Sequence, residues 1–379
     1  MNRYRGLTWD HPRGRVWLEA ASVLWRERGI DIDWEVHSLE GFEAHPIGTL
    51  AEQYDLIVLD HPHIGDAVEA GCLQPIESVL GAEHPALARV YAGLSLRSYR
   101  WAGSTWALPI DAAAQVSARD ATRVDAEPET WSDVERLARE VPVALSVSGP
   151  HALLSFFSAA AALGAEPVDA PGESWVPDRE ARDALDLLRA VHAHAAPGYD
   201  RLNPIALLEH LASDDPLAYV PLVYGYVNFA TRGSGAPVAF GDAPRIAPGA
   251  RIGSTIGGTG VAISGRTRVT EALRDYLDWL VSPRTQRAVI PEFDGQPALA
   301  AAWNDAEVDA AAGAFYSSTR DTIESACLRP RYAGYPDAQI AGSAIVRAAL
   351  AGDLDSDEAI GRLGALARES RRHVPEGTR

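Results

Sequence analysis

Apolar residues along the chain repeat with two different periods, and the switches between them predict a β-α-β-α-β beginning. Residues 4–9 form a short extended run that ends in Asp10-His11-Pro12-Arg13-Gly14. Over residues 16–28, Val16, Leu18, Ala20, Ala21, Val23 and Leu24 recur at helical spacing. Residues 31–37 alternate as a half-buried strand does, and 50–54 lead into the next strand. Leu56-Ile57-Val58-Leu59 is an unbroken apolar run between Asp55 and Asp60, which predicts a strand buried on both faces of a parallel sheet. Residues 66–70 predict a short helix stopped by Gly71. These units predict right-handed crossovers with helices on the faces of the sheet. In the strand order 2-1-3 the first and third strands are neighbours. Their carboxyl-end corners then meet where open α/β sheets bind ligands.

The later pattern is also mixed α and β. A hairpin is expected over 99–107 around Gly103-Ser104, then a strand over 112–119. Thr130, with Asp133 three residues on, predicts a capped helix over 133–140. A strand follows over 142–148, with helices over 153–163, 178–194 (capped by Asp178) and 203–211, and a strand over 217–223. The glycine pair Gly257-Gly258 inside the apolar run 252–264 predicts a bent strand that crosses between lobes. The remainder predicts helices over 270–281, 283–289, 305–315, 319–327, 336–350 and 357–371. No internal repeat or low-complexity tether divides the chain, so crossing strands must join its parts.

A chain of 379 residues exceeds one ordinary core, which predicts two lobes. The net charge of -18 argues against nucleic acid and anionic membrane surfaces as partners. All 34 basic residues are Arg. Without Lys there is no Schiff-base chemistry and no Lys-bearing phosphate loop. Cys72 and Cys327, the two cysteines, give no metal framework, and Cys327, expected at a helix C-terminus, reads as an inert thiol. No stretch is long and apolar enough for membrane insertion. The first twenty residues carry Arg3, Arg5, Arg13 and Arg15 and no apolar leader. A native start at Met1 therefore implies a cytoplasmic protein, and a removed leader implies a periplasmic or extracellular one.

The candidate chemistry lies at the two stiff Asp-His-Pro corners, Asp10-His11-Pro12 and Asp60-His61-Pro62-His63. A histidine beside a carboxylate can bind a ligand or move protons near neutral pH. The plainer reading is that these side chains cap strand and helix ends. Zinc on His11, His61 and His63 is chemically conceivable, but the spacing is no metal signature, so neither metal nor cofactor is expected. Arg13, Arg329 and Arg331 are forks suited to a carboxylate or phosphate, or to salt bridges. Trp9, Trp101, Trp106, Tyr224 and Tyr226 suit stacking on a ligand or packing in a core.

Five pieces stand in order along the chain: Gly103-Ser-Thr-Trp-Ala-Leu-Pro-Ile-Asp111 with residues 116–120, Pro128-Glu-Thr-Trp-Ser-Asp133, Ile256-Gly257-Gly258 to Ser264, residues 271–280, and Gly295-Gln296-Pro297. Together they resemble the periplasmic solute-binding proteins of ABC importers, the maltose-binding type. The resemblance implies a type II periplasmic-binding-protein-like α/β fold, with parallel-type sheets flanked by helices and an interlobe cleft that closes by hinge motion. It implies an N-terminal lobe of 1–109 plus 261–312 and a C-terminal lobe of 110–260 plus 313–379. By position, the ligand-binding residues would be Trp9, Asp10, His11, Arg13, Asp60, His61, His63, Asp111, Tyr224, Tyr226, Asn228, Gly257, Gly258, Arg329 and Arg331. The implied function is binding a small polar solute, such as a sugar or carboxylate, with an ABC permease as partner if the protein is exported. An alternative is a cytosolic enzyme that reuses the cleft, with His11, Asp60 and His61 as acid–base residues. A third is a cytosolic sensor that binds without transport.

Overall fold

The computed structural model describes residues 2–39, 41, 45–170, 172–231 and 235–371. Its first sheet begins as the 2-1-3 order predicts. Strand β1 (Asn2–Trp9) lies parallel to β2 (Ile30–His37) on one side and to β3 (Leu56–Leu59) on the other. Helix α1 (Pro12–Arg26) makes the first crossover. All four residues of β3 are buried, as an unbroken apolar run in mid-sheet requires. Two further strands complete the sheet: Gly260–Ile263 runs antiparallel to β3, and Leu108–Pro109 pairs with its other edge.

The second sheet is built on Ala113–Arg119, which pairs with Tyr219–Tyr224, Ala239–Gly241 and Ile256–Gly257, all antiparallel. The chain passes between the sheets twice within a few residues. Outbound, Leu108–Pro109 leads to Ala113–Arg119; on return, Ile256–Gly257 leads to Gly260–Ile263. Gly258 makes the return bend at φ 91°, and a Cβ there would stand 2.4 Å from the Asp111 carbonyl oxygen. Only glycine meets both demands.

Helices cover both sheets. His151–Ala162, buried at every position, lies in the core beside Asp178–His192 and Tyr335–Ala351. Thr130 caps Trp131–Ala138 through a reciprocal capping box with Asp133, as predicted. Ala102 and Gly103, both at positive φ, turn the expected hairpin between Arg100–Trp101 and Ser104–Thr105.

Residues 50–54 close the helix Ile47–Gln53, the second crossover of the expected β-α-β-α-β opening. Two local expectations fail. The run 142–148 makes one bridge, Val143 to Tyr219, and no ladder. Pro142 has no N–H to give, and the run is buried beside strand Tyr219–Tyr224 without continuing it. The helix from Asp178 has Pro177 as its N-cap with no side-chain hydrogen bond, so Asp178 acts as a first-turn charge.

Candidate functional site

The register of the sheets fixes where the site lies. Trp9 and Leu59 end β1 and β3 at the same edge, so Asp10-His11 and Asp60-His61 leave the sheet side by side. Gly260 pairs with both Leu59 and Pro109, which brings Gly258, Thr259 and Asp111 to that edge. On the second sheet Gln115 pairs with Tyr224 and Ala113 with Gly257, so Tyr224 arrives from the opposite side. Between them lies a cavity of about 60 Å³, room for roughly four or five waters at about 10–15 Å³ each.

The first sheet's corners contribute Trp9, Arg13 and Asp60 to its wall; the crossings contribute Asp111, Gly257 and Gly258. Tyr224, Tyr226 and Arg329 complete the residues expected from sequence that line it. Leu39, Ala113, His151, Leu154, Pro204 and Thr259 line it too and were not anticipated. Thr259 directly follows the glycine pair, a signal that could have found it. His151 merely opens an Ala-rich helix after Gly149-Pro150, and no motif marks it.

Two ion pairs dominate the electrostatics, one buried at both partners and one, Arg329 with Asp60, buried at the Arg and half-buried at the carboxylate. Arg13 donates to both carboxylate oxygens of Asp111, at 2.6 Å from Nε and 2.5 Å from Nη2. Its Nη1 reaches the carbonyl of Gly225 at 2.8 Å, and its guanidinium lies 4.5 Å from the Tyr226 ring centroid. Burial pushes the Asp111 carboxyl up, against the pull of Arg13. The fork-on-carboxylate geometry is that of a charged pair. Arg329 places Nη2 at 2.5 and 2.6 Å from the two oxygens of Asp60. Burial opposes the charge on Asp60, but Arg329 and His61 hold its carboxyl well below the usual range.

The two corner histidines have other positions. His11 Nδ1 accepts from the Arg13 N–H and caps α1, while its ring meets the Tyr226 ring edge-on at 4.8 Å. His61 is fully buried, with Nδ1 3.2 Å from Asp60 Oδ1 and no partner for Nε2 among the described residues. Burial, aided by neighbouring arginines, lowers His11 to about 3 and His61 to about 4, so both are neutral. His63 is buried and, like both of them, does not line the cavity.

Asp10, Asn228 and Arg331 also fall outside the wall. Asp10 is exposed and pairs with Arg15. Asn228 donates to the Asp294 carbonyl at 2.9 Å. Arg331 donates to the carbonyls of Arg97 and Ser98 and lies 5.4 Å from the Trp101 ring centroid. Cys327 is bridged to Thr255, and burial pushes its thiol up to about 12. It lies beyond the helix Arg320–Ser325, so burial makes it inert, not the helix C-terminus. Among the described residues no three His, Cys, Asp or Glu side chains are grouped to hold a metal ion.

Tyr224 is held in place by a buried polar knot. Its hydroxyl lies 3.2 Å from Thr255 Oγ1, which donates to Gln115 Oε1 at 3.1 Å; Ser158 donates to the same oxygen at 2.6 Å. His151 meets the Tyr224 ring edge-on at 5.9 Å. The wall thus combines the aromatic rings of Trp9, Tyr224 and Tyr226 with polar and charged side chains.

No protein-family model matches the sequence, and no curated protein matches it. Solved structures match over nearly the whole chain. A solute-binding protein from Agrobacterium radiobacter K84, in complex with ribitol, superposes with TM-score 0.78 at 19% identity, over 97% of this chain and 98% of that one. One from Thermotoga lettingae, bound with α-D-tagatose, gives TM-score 0.82 at 16% identity, over 97% and 99%. Maltose-bound MalE3 of T. maritima gives 0.80 at 16%, over 97% and 99%. The chain has the fold of ABC-transporter solute-binding proteins. In that two-lobed fold the cavity of Trp9, Tyr224 and the two ion pairs is the interlobe cleft.

Proposed function

We propose that the protein is a solute receptor that holds a small polar molecule, a sugar or polyol, between its lobes and delivers it to an ABC permease. One observation carries the reading: residues from both sheets, including three aromatic rings, line a single cavity at the crossing strands. Aromatic faces stack on the C–H faces of a polyol or sugar, and buried polar groups meet its hydroxyls. The neighbours bound to ribitol, tagatose and maltose support that class. We take the lobes as 1–109 plus 261–312 and 110–260 plus 313–379, the first two divisions falling at the crossings between the sheets; residues 1, 40, 42–44, 171, 232–234 and 372–379 lie outside the described residues. Delivery requires an address beyond the cytoplasmic membrane, periplasmic or extracellular, which cell fractionation tests. Among the described residues no helix is long and apolar enough to cross a membrane.

The acid–base alternative loses two of its three residues at the cavity. Neither His11 nor His61 lines it, and Asp60 is locked by Arg329. Isothermal titration with ribitol, D-mannitol, α-D-tagatose and maltose tests the receptor reading. At least one should bind with unit stoichiometry and be recovered unchanged, and Tyr224→Ala should weaken it at least tenfold. A tight solute at 100 times its Kd would add about 2.7 kcal/mol of stability. Turnover of the solute, or affinity indifferent to Tyr224→Ala, would refute the reading.

A further inference from the structure

Resting on the receptor reading, we propose that this cleft selects an uncharged solute and rejects charged analogues of the same skeleton, with Arg329 Nε and Thr259 Oγ1 as the contacts that read a ligand oxygen. Four charged side chains line the cavity, and they cancel in pairs: Arg13 with Asp111, Asp60 with Arg329. Each pair is made in full, with both carboxylate oxygens engaged. Arg13 has no nitrogen left, because its third one holds the Gly225 carbonyl. His151, the remaining titratable group on the wall with a pKa near neutrality in solution, is kept neutral by burial.

A carboxylate or phosphate entering here has two courses. It can displace Asp60 or Asp111 and leave that buried carboxylate unpaired, or it can sit beside the carboxylate in a low-dielectric site. An ammonium faces the mirror-image choice with Arg13 and Arg329. Both courses leave a buried charge uncompensated, which is strongly unfavourable. A hydroxyl meets no such conflict.

Two residues of the wall each carry a buried polar atom with no partner among the described residues. Arg329 is 4% exposed, its Nη2 engages Asp60, its Nη1 lies 3.5 Å from Gln339 Oε1, and Nε has no acceptor. Thr259 is 6% exposed, and its hydroxyl has no partner among the described residues. A buried donor without an acceptor is costly, and a neutral ligand oxygen would satisfy it. The Arg forks admit a carboxylate ligand on sequence grounds; on the wall the charge of each Arg is already balanced by an aspartate, which removes the reason for it.

The test is a charge series on fixed skeletons, measured by titration calorimetry on the wild-type protein: ribitol and D-mannitol against the corresponding aldonates, terminal phosphates and 1-amino-1-deoxy polyols. The expected result is that the neutral member binds at least about a hundredfold tighter than each charged one. A charged member binding as tightly as its neutral parent overturns the proposal and leaves the receptor reading intact. Failure of every member, with α-D-tagatose and maltose failing too, overturns the receptor reading and the proposal with it; failure of this series while either of those sugars binds overturns the proposal alone. Asp60→Asn, which unlocks the Arg329 guanidinium, should gain affinity for the aldonate at least tenfold. Thr259→Val, which keeps the side-chain shape, should weaken the neutral polyol about tenfold without changing the charge preference. Loss of that preference in Thr259→Val, or no aldonate gain in a folded Asp60→Asn, contradicts the assignment.

Discussion

Arg13 and Arg329 come from opposite ends of the chain, yet each ends as a buried cation fastened to an aspartate of the cleft. Truncating one partner of such a pair strands a charge. Asp111→Ala should therefore lower stability by about 3–5 kcal/mol in urea denaturation, whereas Arg15→Ala, which breaks an exposed pair with Asp10, should change it by less than about 1 kcal/mol. Near-equal losses would contradict the burial argument. The histidines make a pH prediction. Burial, reinforced by the Arg329 charge, lowers His61 to about 4 and His151 to about 3. The folded state keeps them neutral, so below about pH 6.5 the unfolded chain takes up their protons first and stability falls as pH falls. Each contributes a slope of at most about 1.4 kcal/mol per pH unit between 6.5 and its folded value, and nothing above 6.5. Between pH 6.5 and 5, stability of the double variant His61→Gln/His151→Gln should fall less steeply than that of wild type. Equal slopes would contradict the assignment.

At this scale, composition and turn chemistry singled out Arg13, Asp60 and Arg329, and all three line the cavity. Their pairing was not legible, because 269 positions separate Asp60 from Arg329 and no local pattern spans that gap. The cap formed by His11 was foreseen only as the plainer alternative, since a corner histidine reads the same whether it faces a ligand or its own helix.

Among the elements, the helix Ile64–Glu69 approaches the segment 331–333 so closely that a Cβ on Gly65 would stand 2.0 Å from the Arg331 carbonyl oxygen and 2.4 Å from the Tyr332 carbonyl carbon. Asp66 accepts from the Gly334 N–H at 2.8 Å across the same contact. Tyr332 and Tyr335 pack in the core with Phe157 and Trp175, so this contact joins the first sheet's helix to the far lobe. Gly65→Ala should push these elements apart, enlarging the radius of gyration in small-angle scattering and weakening solute binding at least tenfold. An unchanged profile and affinity would refute the close approach. Thr130→Ala removes a reciprocal cap and should cost about 1 kcal/mol, read from the urea midpoint. The capping box, the 2-1-3 order and the glycine bend were readable because each is local chemistry with one structural solution. The run 142–148 was not, because an apolar stretch reads the same in a ladder and in buried irregular chain.

For the whole molecule, the order of weak motifs carried the fold further than any single element. Two crossings and their flanking helices at the right spacing implied two lobes, and the sheets divide at those crossings. A net charge of -18 coexists with a cleft whose four charged side chains sum to zero, a separation that composition cannot express. The full lining of the cavity was equally hidden, since Leu39, Leu154 and Pro204 join it without any signature in sequence. The most direct measurement is a crystal structure grown with whichever of ribitol, D-mannitol, α-D-tagatose or maltose binds tightest. The account predicts solute density between Trp9 and Tyr224, within hydrogen-bonding reach of Arg329 and Thr259. Solute in the surface groove along residues 82–88 and 100–105, with none in the cleft, would contradict it.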